Sequence, residues 1–318
     1  MSAVDPVRRP DAADLDAALR VVGAQLSPTP VVPASPAGRT MLKLETFQPT
    51  GSFKVRGALA AMSALEPGER AITASAGNHG LGIAYAAKVL DRQATVVVPE
   101  TGSRAKLAAL GEWPVTLVRH GADFDAAERH ALRLAKDGGR YVSAYNDARV
   151  IAGQATIVRE VTEQVPGPVT LVCGVGGGGL CAGLSLVASG TDDVEVVGVE
   201  AEGSRAVSAA IAAGRVVPVA VGDTLADGLA GNLDDPCVTP EIIGRHAAGL
   251  VAVSEQEIRS AIRWLFSRHG LVAEGAAAAG VGALLSGKVS VPADRTVVVV
   301  LSGRNISASA FRDVLRDP

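Results

Sequence analysis

The sequence predicts an α/β protein built on largely parallel sheet, and three observations carry that expectation. Short β-branched runs are nearly continuous in apolar character, as strands covered on both faces must be. They alternate with stretches of helical apolar spacing, the order that builds parallel sheets. The length of 318 residues, at roughly 150 per domain, suits about two such units.

In chain order, a strand-like Met41–Leu44 comes first, followed by apolar runs at Thr95–Val98 and Val115–Val118. Asp125–Lys136 reads as a helix, with Ala127, His130, Ala131 and Leu134 recurring on one face. Strands are then expected at Val169–Cys173 and Val194–Val199. Glu255–Arg268 is the clearest helix: Ser254 and Glu257 form a capping box, Ile258, Ile262 and Leu265 line one face, and Gly270 stops it. Thr296–Leu301 is the last strand. Residues 67–144 can close on themselves as a small domain, leaving 1–66 and 145–318 to share a larger, discontinuous one.

Composition excludes several classes. Apolar residues at 48% and charged residues at 20% describe a globular chain with a core, not a disordered or collagen-like one. A net charge of −3 and 3% aromatics supply neither a basic field nor stacking platforms, so no nucleic-acid partner is expected. No apolar run approaches a membrane span; the longest bland stretch, Gly275 to Gly287, is too short. Met1 to Ala12 lacks the apolar core of a signal peptide. Cys173, Cys181 and Cys237 are odd in number and lack metal-site spacing, which suits a reducing cytoplasm.

Chemistry concentrates at two places. Cys173-Gly174-Val175-Gly176-Gly177-Gly178-Gly179-Leu180 follows an apolar strand and precedes a helix-compatible run. Adjacent glycines leave backbone N–H groups uncovered, and a helix N-terminus adds the positive end of its dipole, so a phosphate can be held without Lys or Arg. Gly174, Gly176 and Gly179 also satisfy G-x-G-x-x-G, with Glu200 near the spacing of a ribose-binding acid. A nicotinamide-dinucleotide oxidoreductase is therefore a competing reading of that stretch. The second place is Lys54, one of six lysines, set between Phe53 and Val55 where a strand gives way to a helix. A lysine losing hydration there becomes available as a nucleophile or base, although a surface lysine on a helix satisfies the residue types equally. The remaining lysines, Lys43, Lys88, Lys106, Lys136 and Lys288, read as ordinary polar or helix-face residues.

Lys43-Leu44-Glu45 with Gln48-Pro49-Thr50-Gly51-Ser52-Phe53-Lys54-Val55-Arg56-Gly57-Ala58 resembles the cofactor-lysine motif of the fold type II pyridoxal-phosphate enzymes. Within these it is most similar to the serine/threonine dehydratase and serine racemase family. Ser75-Ala76-Gly77-Asn78-His79-Gly80 resembles that family's substrate-carboxylate loop, and Val150–Ile157 a stretch following its small domain. The glycine run resembles its phosphate cup, and Thr224–Leu229 and Leu301–Asn305 two later signatures in the family's order. The resemblance covers about Thr29 to Asn305.

It implies two open parallel-sheet domains of the tryptophan synthase β-like kind, with the active site in the cleft between them. It also implies pyridoxal 5'-phosphate, linked covalently to Lys54 and held at its phosphate by Gly176, Gly177, Gly178, Gly179 and Leu180. Phe53 would lie beside the ring, Asn78 at the ring hydroxyl and Ser302 at the pyridine nitrogen. A hydroxyl there, unlike an aspartate, does not keep the nitrogen protonated, which favours loss of a β-substituent over transamination. Ser75, Gly77, Asn78 and His79 would hold the substrate carboxylate, with Lys54 as the base at Cα. The implied reaction is β-elimination from L-threonine, L-serine or a similar hydroxy amino acid to a 2-oxo acid and ammonia, in a homodimer. The end of the chain soon after Asn305 leads us to expect no appended regulatory domain and a catabolic role.

Four positions depart from the pattern or leave a choice. Ala76 stands where racemases carry a serine opposite the lysine, so racemisation is expected to be weak or absent. Glu200 lacks its acidic partner six residues on, where Ala206 stands, so no metal is expected. Arg304 replaces a usual glycine; it is either a surface arginine or a guanidinium selecting an acidic substrate such as 3-hydroxyaspartate. Glu274 is either a family glutamate near the cofactor or a solvated loop carboxylate.

Overall fold

The structure is a computed structural model and describes residues 7–34, 39–101, 104–290 and 292–316. The start of the N-terminal segment at residues 1–6 and the side chain of Lys106 lie outside the described residues. In chain order the elements are α1 (Ala12–Gln25), β1 (Val31–Pro33), β2 (Thr40–Lys43), α2 (Lys54–Ser63), β3 (Ala71–Ala74), α3 (Asn78–Val89), β4 (Ala94–Val98), α4 (Arg104–Gly111), β5 (Thr116–Arg119), α5 (Phe124–Lys136) and β6 (Arg140–Tyr141). There follow α6 (Ala148–Gln164), β7 (Val169–Gly174), α7 (Gly179–Ala188), β8 (Val194–Ala201), α8 (Ala206–Ala213), α9 (Thr239–His246), β9 (Gly249–Val253), α10 (Glu255–His269), α11 (Gly275–Leu285), β10 (Thr296–Val300) and α12 (Ala308–Arg316).

The chain forms two compact units, Met1–Ser27 with Gln48–Thr156, and Pro28–Phe47 with Ile157–Pro318. The first contains a four-stranded sheet in the order β5-β4-β3-β6, parallel throughout. The expected small domain, 67–144, lies inside this unit, which also takes in 1–27, 48–66 and 145–156. Within this unit α2 is clasped by its neighbours. A Cβ at Gly82 of α3 would meet the Lys54 carbonyl oxygen at 3.0 Å, and one at Gly153 of α6 would meet the Arg56 carbonyl oxygen at 2.6 Å. Helices that approach to backbone contact belong to one body. Val55, Leu59 and Met62 of α2 complete its apolar core with Ile83, Val96, Val98 and Val150.

The second unit contains a six-stranded sheet in the order β1-β2-β10-β7-β8-β9. All neighbours are parallel except β1, which runs antiparallel to β2 at the edge. α11 is buried along nearly its whole length, packing Ala277, Ala278, Ala279 and Val281 into the core beside Val172 and Val299. The Ser254–Glu257 capping box is formed at the head of α10, and Gly270 ends that helix at φ 63°.

Lys43 is the departure from the sequence reading. It is fully buried in β2, and its Nζ donates to the Thr29 carbonyl at 2.8 Å, Glu160 Oε2 at 2.6 Å and Gln164 Oε1 at 3.0 Å. Thr29 Oγ1 in turn donates to Glu45 Oε1 at 2.6 Å. A charge taken out of water needs this full set of partners. Lys43→Ala removes the cation facing the part-buried Glu160 and is expected to lower stability by about 3 kcal/mol, read as a shift in the urea unfolding midpoint.

Candidate active site

In the first unit, Lys54 is the first residue of α2, and its half-buried side chain begins where the preceding Phe53 caps the helix without a side-chain hydrogen bond. Lys54 Nζ donates to the Ala144 carbonyl oxygen at 2.7 Å and stands 5.2 Å from the Phe53 ring centroid. The positive end of a helix dipole is a poor place for a stable ammonium, and the carbonyl and ring supply the compensation.

α3 begins at Asn78, and Gly77 before it offers no side-chain cap. The first N–H groups of a helix have no partner within it, so this end suits a carboxylate. Ser75 stabilises the turn into it, its Oγ accepting from the Gly77 N–H at 3.2 Å. The Gly82 contact holds the heads of α2 and α3 in one body. Lys54 and the 75–79 loop are thus brought together as the sequence pairs them. Ala76 is partly buried against the apolar core and has no group to transfer a proton.

His79 is placed differently from a side-chain ligand. Its ring is 3% exposed, and Nε2 lies 3.2 Å from the Val142 carbonyl oxygen. What His79 offers an anion is therefore its backbone N–H in the first turn of α3. Burial foremost, then the nearby positive Lys54, pushes the ring down from 6.5 to about 3, against the weaker opposing pull of the Val142 carbonyl. A neutral ring facing a carbonyl must donate from Nε2, leaving the lone pair on Nδ1, a buried atom with no partner.

In the second unit the glycine run links β7 to α7. Gly178 precedes α7 in the left-handed conformation, φ 84°, and provides no side-chain cap. The N–H groups opening the helix at Gly179 and Leu180 are thus left for an anion. The loop is fixed from behind at backbone distance. A Cβ on Gly176 would meet the Gly228 carbonyl at 2.7 Å, and one on Gly178 the Thr239 Oγ1 at 2.9 Å. Thr239 Oγ1 donates to the Gly177 carbonyl at 2.7 Å. Part of the Thr224–Leu229 signature is thereby explained as a wall against which the loop rests. These residues fit a phosphate: a rigid turn, an uncapped helix and no side chain in the way.

Ser302 follows β10 and is buried. Its loop is held on both sides, by the Thr46 N–H donating to the Leu301 carbonyl at 3.1 Å and the Glu274 N–H donating to the Gly303 carbonyl at 3.1 Å. Glu274 is buried at the head of α11, not a solvated loop carboxylate. Arg304 is exposed and donates to the Thr46 carbonyl, which ties its guanidinium to the neighbouring turn. Glu200 is buried in β8 and accepts from the backbone N–H groups of Val207 at 3.1 Å and Ser208 at 3.2 Å and from the Ser208 hydroxyl. Its carboxylate neutralises the head of α8 and is spent there, which removes the ribose contact on which the dinucleotide reading relied. Among the described residues no group of three or more His, Cys, Asp and Glu is placed to hold a metal ion.

An uncapped glycine turn on the parallel sheet of the second unit and a half-buried lysine at a helix head of the first are each features of cofactor-dependent enzymes. The family model of the pyridoxal-phosphate dependent enzymes matches residues 23–303, and the chain belongs to that family. It is 38% identical over 283 residues to the L-threonine ammonia-lyase of Thermotoga maritima, covering 87% of this chain and 70% of that one. It is 35% identical over 287 residues to the catabolic L-threonine dehydratase TdcB of Escherichia coli K12, covering 87% and 86%. Isoform 2 of threonine deaminase from Solanum lycopersicum, solved in its processed form, is 29% identical with a TM-score of 0.82, covering 97% of this chain and 90% of that one. The cofactor is pyridoxal 5'-phosphate, and the dinucleotide reading falls with the family assignment.

Three contributors escaped the sequence reading. Thr239 could have been noticed, since Thr239-Pro240 is a helix-start signal. The carbonyls of Val142 and Ala144 could not, because main-chain acceptors carry no residue signature.

Two outcomes follow. Thr239→Val should weaken cofactor binding about threefold to tenfold, the worth of one hydrogen bond to the loop, measured by titrating the apoprotein with pyridoxal phosphate. As pH falls below 6.5 the unfolded chain takes up a proton at His79 that the folded chain refuses until about 3, so stability falls through that window. His79→Gln, lacking the titrating ring, should show a shallower loss of stability over the same interval in urea unfolding.

Proposed function

We propose that the protein is a pyridoxal-phosphate-dependent ammonia-lyase that removes water and then ammonia from L-threonine or L-serine, leaving a 2-oxo acid. The observation that carries this reading is the half-buried Lys54 amine at the head of α2, in the same unit as the uncapped head of α3. The threonine ammonia-lyase and dehydratase named above support the substrate class.

When bound, the cofactor withdraws electrons from the substrate's Cα and so acidifies its proton. Lys54 would hold the aldehyde end, with Phe53 beside the ring, Asn78 at the ring hydroxyl and Ser302 at the ring nitrogen. Gly176, Gly177, Gly178, Gly179 and Leu180 would hold the phosphate. The substrate carboxylate is held at the head of α3 by Ser75, by the N–H groups of Gly77 and His79, and by Asn78. Lys54 Nζ, once free, removes the Cα proton; the Ala144 carbonyl then faces the ammonium that results. The β-hydroxyl departs as water, and hydrolysis of the product releases ammonia.

The expected small domain at 67–144 supplies the carboxylate loop, and residues 1–66 and 145–318 the rest. We further infer a homodimer, on the family resemblance, working in the cytoplasm, on the number and spacing of the cysteines. A catabolic role fits the name of the Escherichia coli relative. No helix among the described residues is long and apolar enough to cross a membrane.

The test is product release. Incubation of the purified holoenzyme with L-threonine or L-serine should yield 2-oxo acid and ammonia in equal amounts, and turnover of L-serine in deuterated water should leave no appreciable D-serine. Absence of 2-oxo acid would overturn the reaction, and abundant D-serine would overturn the role given to Ala76.

A further inference from the structure

Two helices of the first unit reach the same short stretch of chain. The Val142 carbonyl accepts from Thr73 Oγ1 of β3 at 2.9 Å and lies 3.2 Å from His79 Nε2 of α3. Two residues on, the Ala144 carbonyl accepts from Lys54 Nζ of α2 at 2.7 Å. The stretch is fastened at its start by the Val142 N–H, which donates to the Ile72 carbonyl at 2.9 Å, and afterwards by the Asn146 N–H, which donates to Ser143 Oγ at 3.2 Å. Across two residues a chain has little freedom once its flanks are bonded. The position of the Ala144 oxygen therefore follows that of the Val142 oxygen.

We propose that His79 is a positioning residue for Lys54. Its Nε2–H fixes the Val142 carbonyl, and through the 142–144 stretch sets the Ala144 carbonyl against which the Lys54 amine is oriented. The hydrogen bond to Ala144 turns one N–H of the amine aside, which decides where its lone pair points. A lone pair aimed away from Cα cannot take the proton, however strong the base. The ring does this while neutral and buried, so it adds no positive charge beside Lys54. It also divides the labour of one residue, with the backbone N–H at the head of α3 serving the substrate and the side chain serving the base. The catalytic half of this inference rests on the reading of Lys54 as the base in β-elimination.

The experiment compares the wild type with His79→Leu, which fills the space without a donor, and His79→Gln, whose amide nitrogen reaches where Nε2 does. In the holoenzyme, His79→Leu should lose at least about tenfold in kcat, because a misdirected base loses rate steeply, with KM held within about twofold. In the apoprotein, acetic anhydride at fixed pH should acetylate Lys54 about threefold faster in His79→Leu, the worth of one lost hydrogen bond, read by peptide mass spectrometry. His79→Gln should restore both values towards wild type. Should His79→Leu not fold, Thr73→Val removes the other donor to Val142 and should shift both readings in the same direction. Equal kcat and equal acetylation across the variants would overturn the proposal. So would a raised KM at unchanged kcat, which would make the ring a substrate ligand. A wild type that released no 2-oxo acid would count against the β-elimination reading alone, since the acetylation rates are read without cofactor or substrate.

Discussion

The approach of α3 and α6 to the backbone of α2 is the constraint on which the placement of Lys54 depends. Gly82 and Gly153 stand where any side chain would strike the carbonyls of Lys54 and Arg56. With both contacts made, α2 cannot slide along either neighbour without losing a close-packed surface. The backbone that carries the reactive side chain is thereby placed by the body of the helix, and the Ala144 carbonyl holds the amine at its end. Because α3 is one of the two clasps, the helix that carries the carboxylate loop is located by the same contact. One packing decision sets the position of the base and of the groups proposed to hold its substrate.

The glycine turn of the second unit solves a different problem by related means. A phosphate could be neutralised by cations, but the segment from Cys173 to Leu180 contains none. What it presents is the open end of α7, whose leading N–H groups lack a cap. Such a site is only as good as its rigidity, since mobile N–H groups solvate an anion no better than water does. Rigidity comes from outside the loop, with Gly228 and Leu229 against Gly176 and Thr239 bonded to Gly177. Where Glu200 faces a helix head the opposite choice is made, and a carboxylate closes α8. The open helix and the closed one lie on either side of β8 in sequence.

Much of this was legible before the structure. The apolar runs at 95–98, 115–118, 169–173, 194–199 and 296–301 all fall on strands, with ends shifted by a residue or two at most. The strands that went unread, β1, β3, β6 and β9, are short or poor in β-branched residues. α11 was hidden for the opposite reason: being buried nearly all round, it has no polar face and shows no periodicity. Lys54 and the glycine run stood out through motif resemblance as much as through residue type. Lys43 did not, because its burial depends on Glu160 and Gln164, more than a hundred residues away. His79 is read from the sequence as one of the substrate's holders, with no choice made between its ring and its backbone N–H, and the role of the ring is hidden for a similar reason. Its partner is a carbonyl, and no sequence pattern marks one carbonyl from the next.

The account centres on one amine, and its attachment to the cofactor can be read directly. Holoenzyme reduced with borohydride, digested and analysed by mass spectrometry should carry a single pyridoxyl group on the peptide containing Lys54, with fragment ions placing it on that side chain. A pyridoxyl group fixed to any other lysine, or a reduced protein bearing none, would contradict the account.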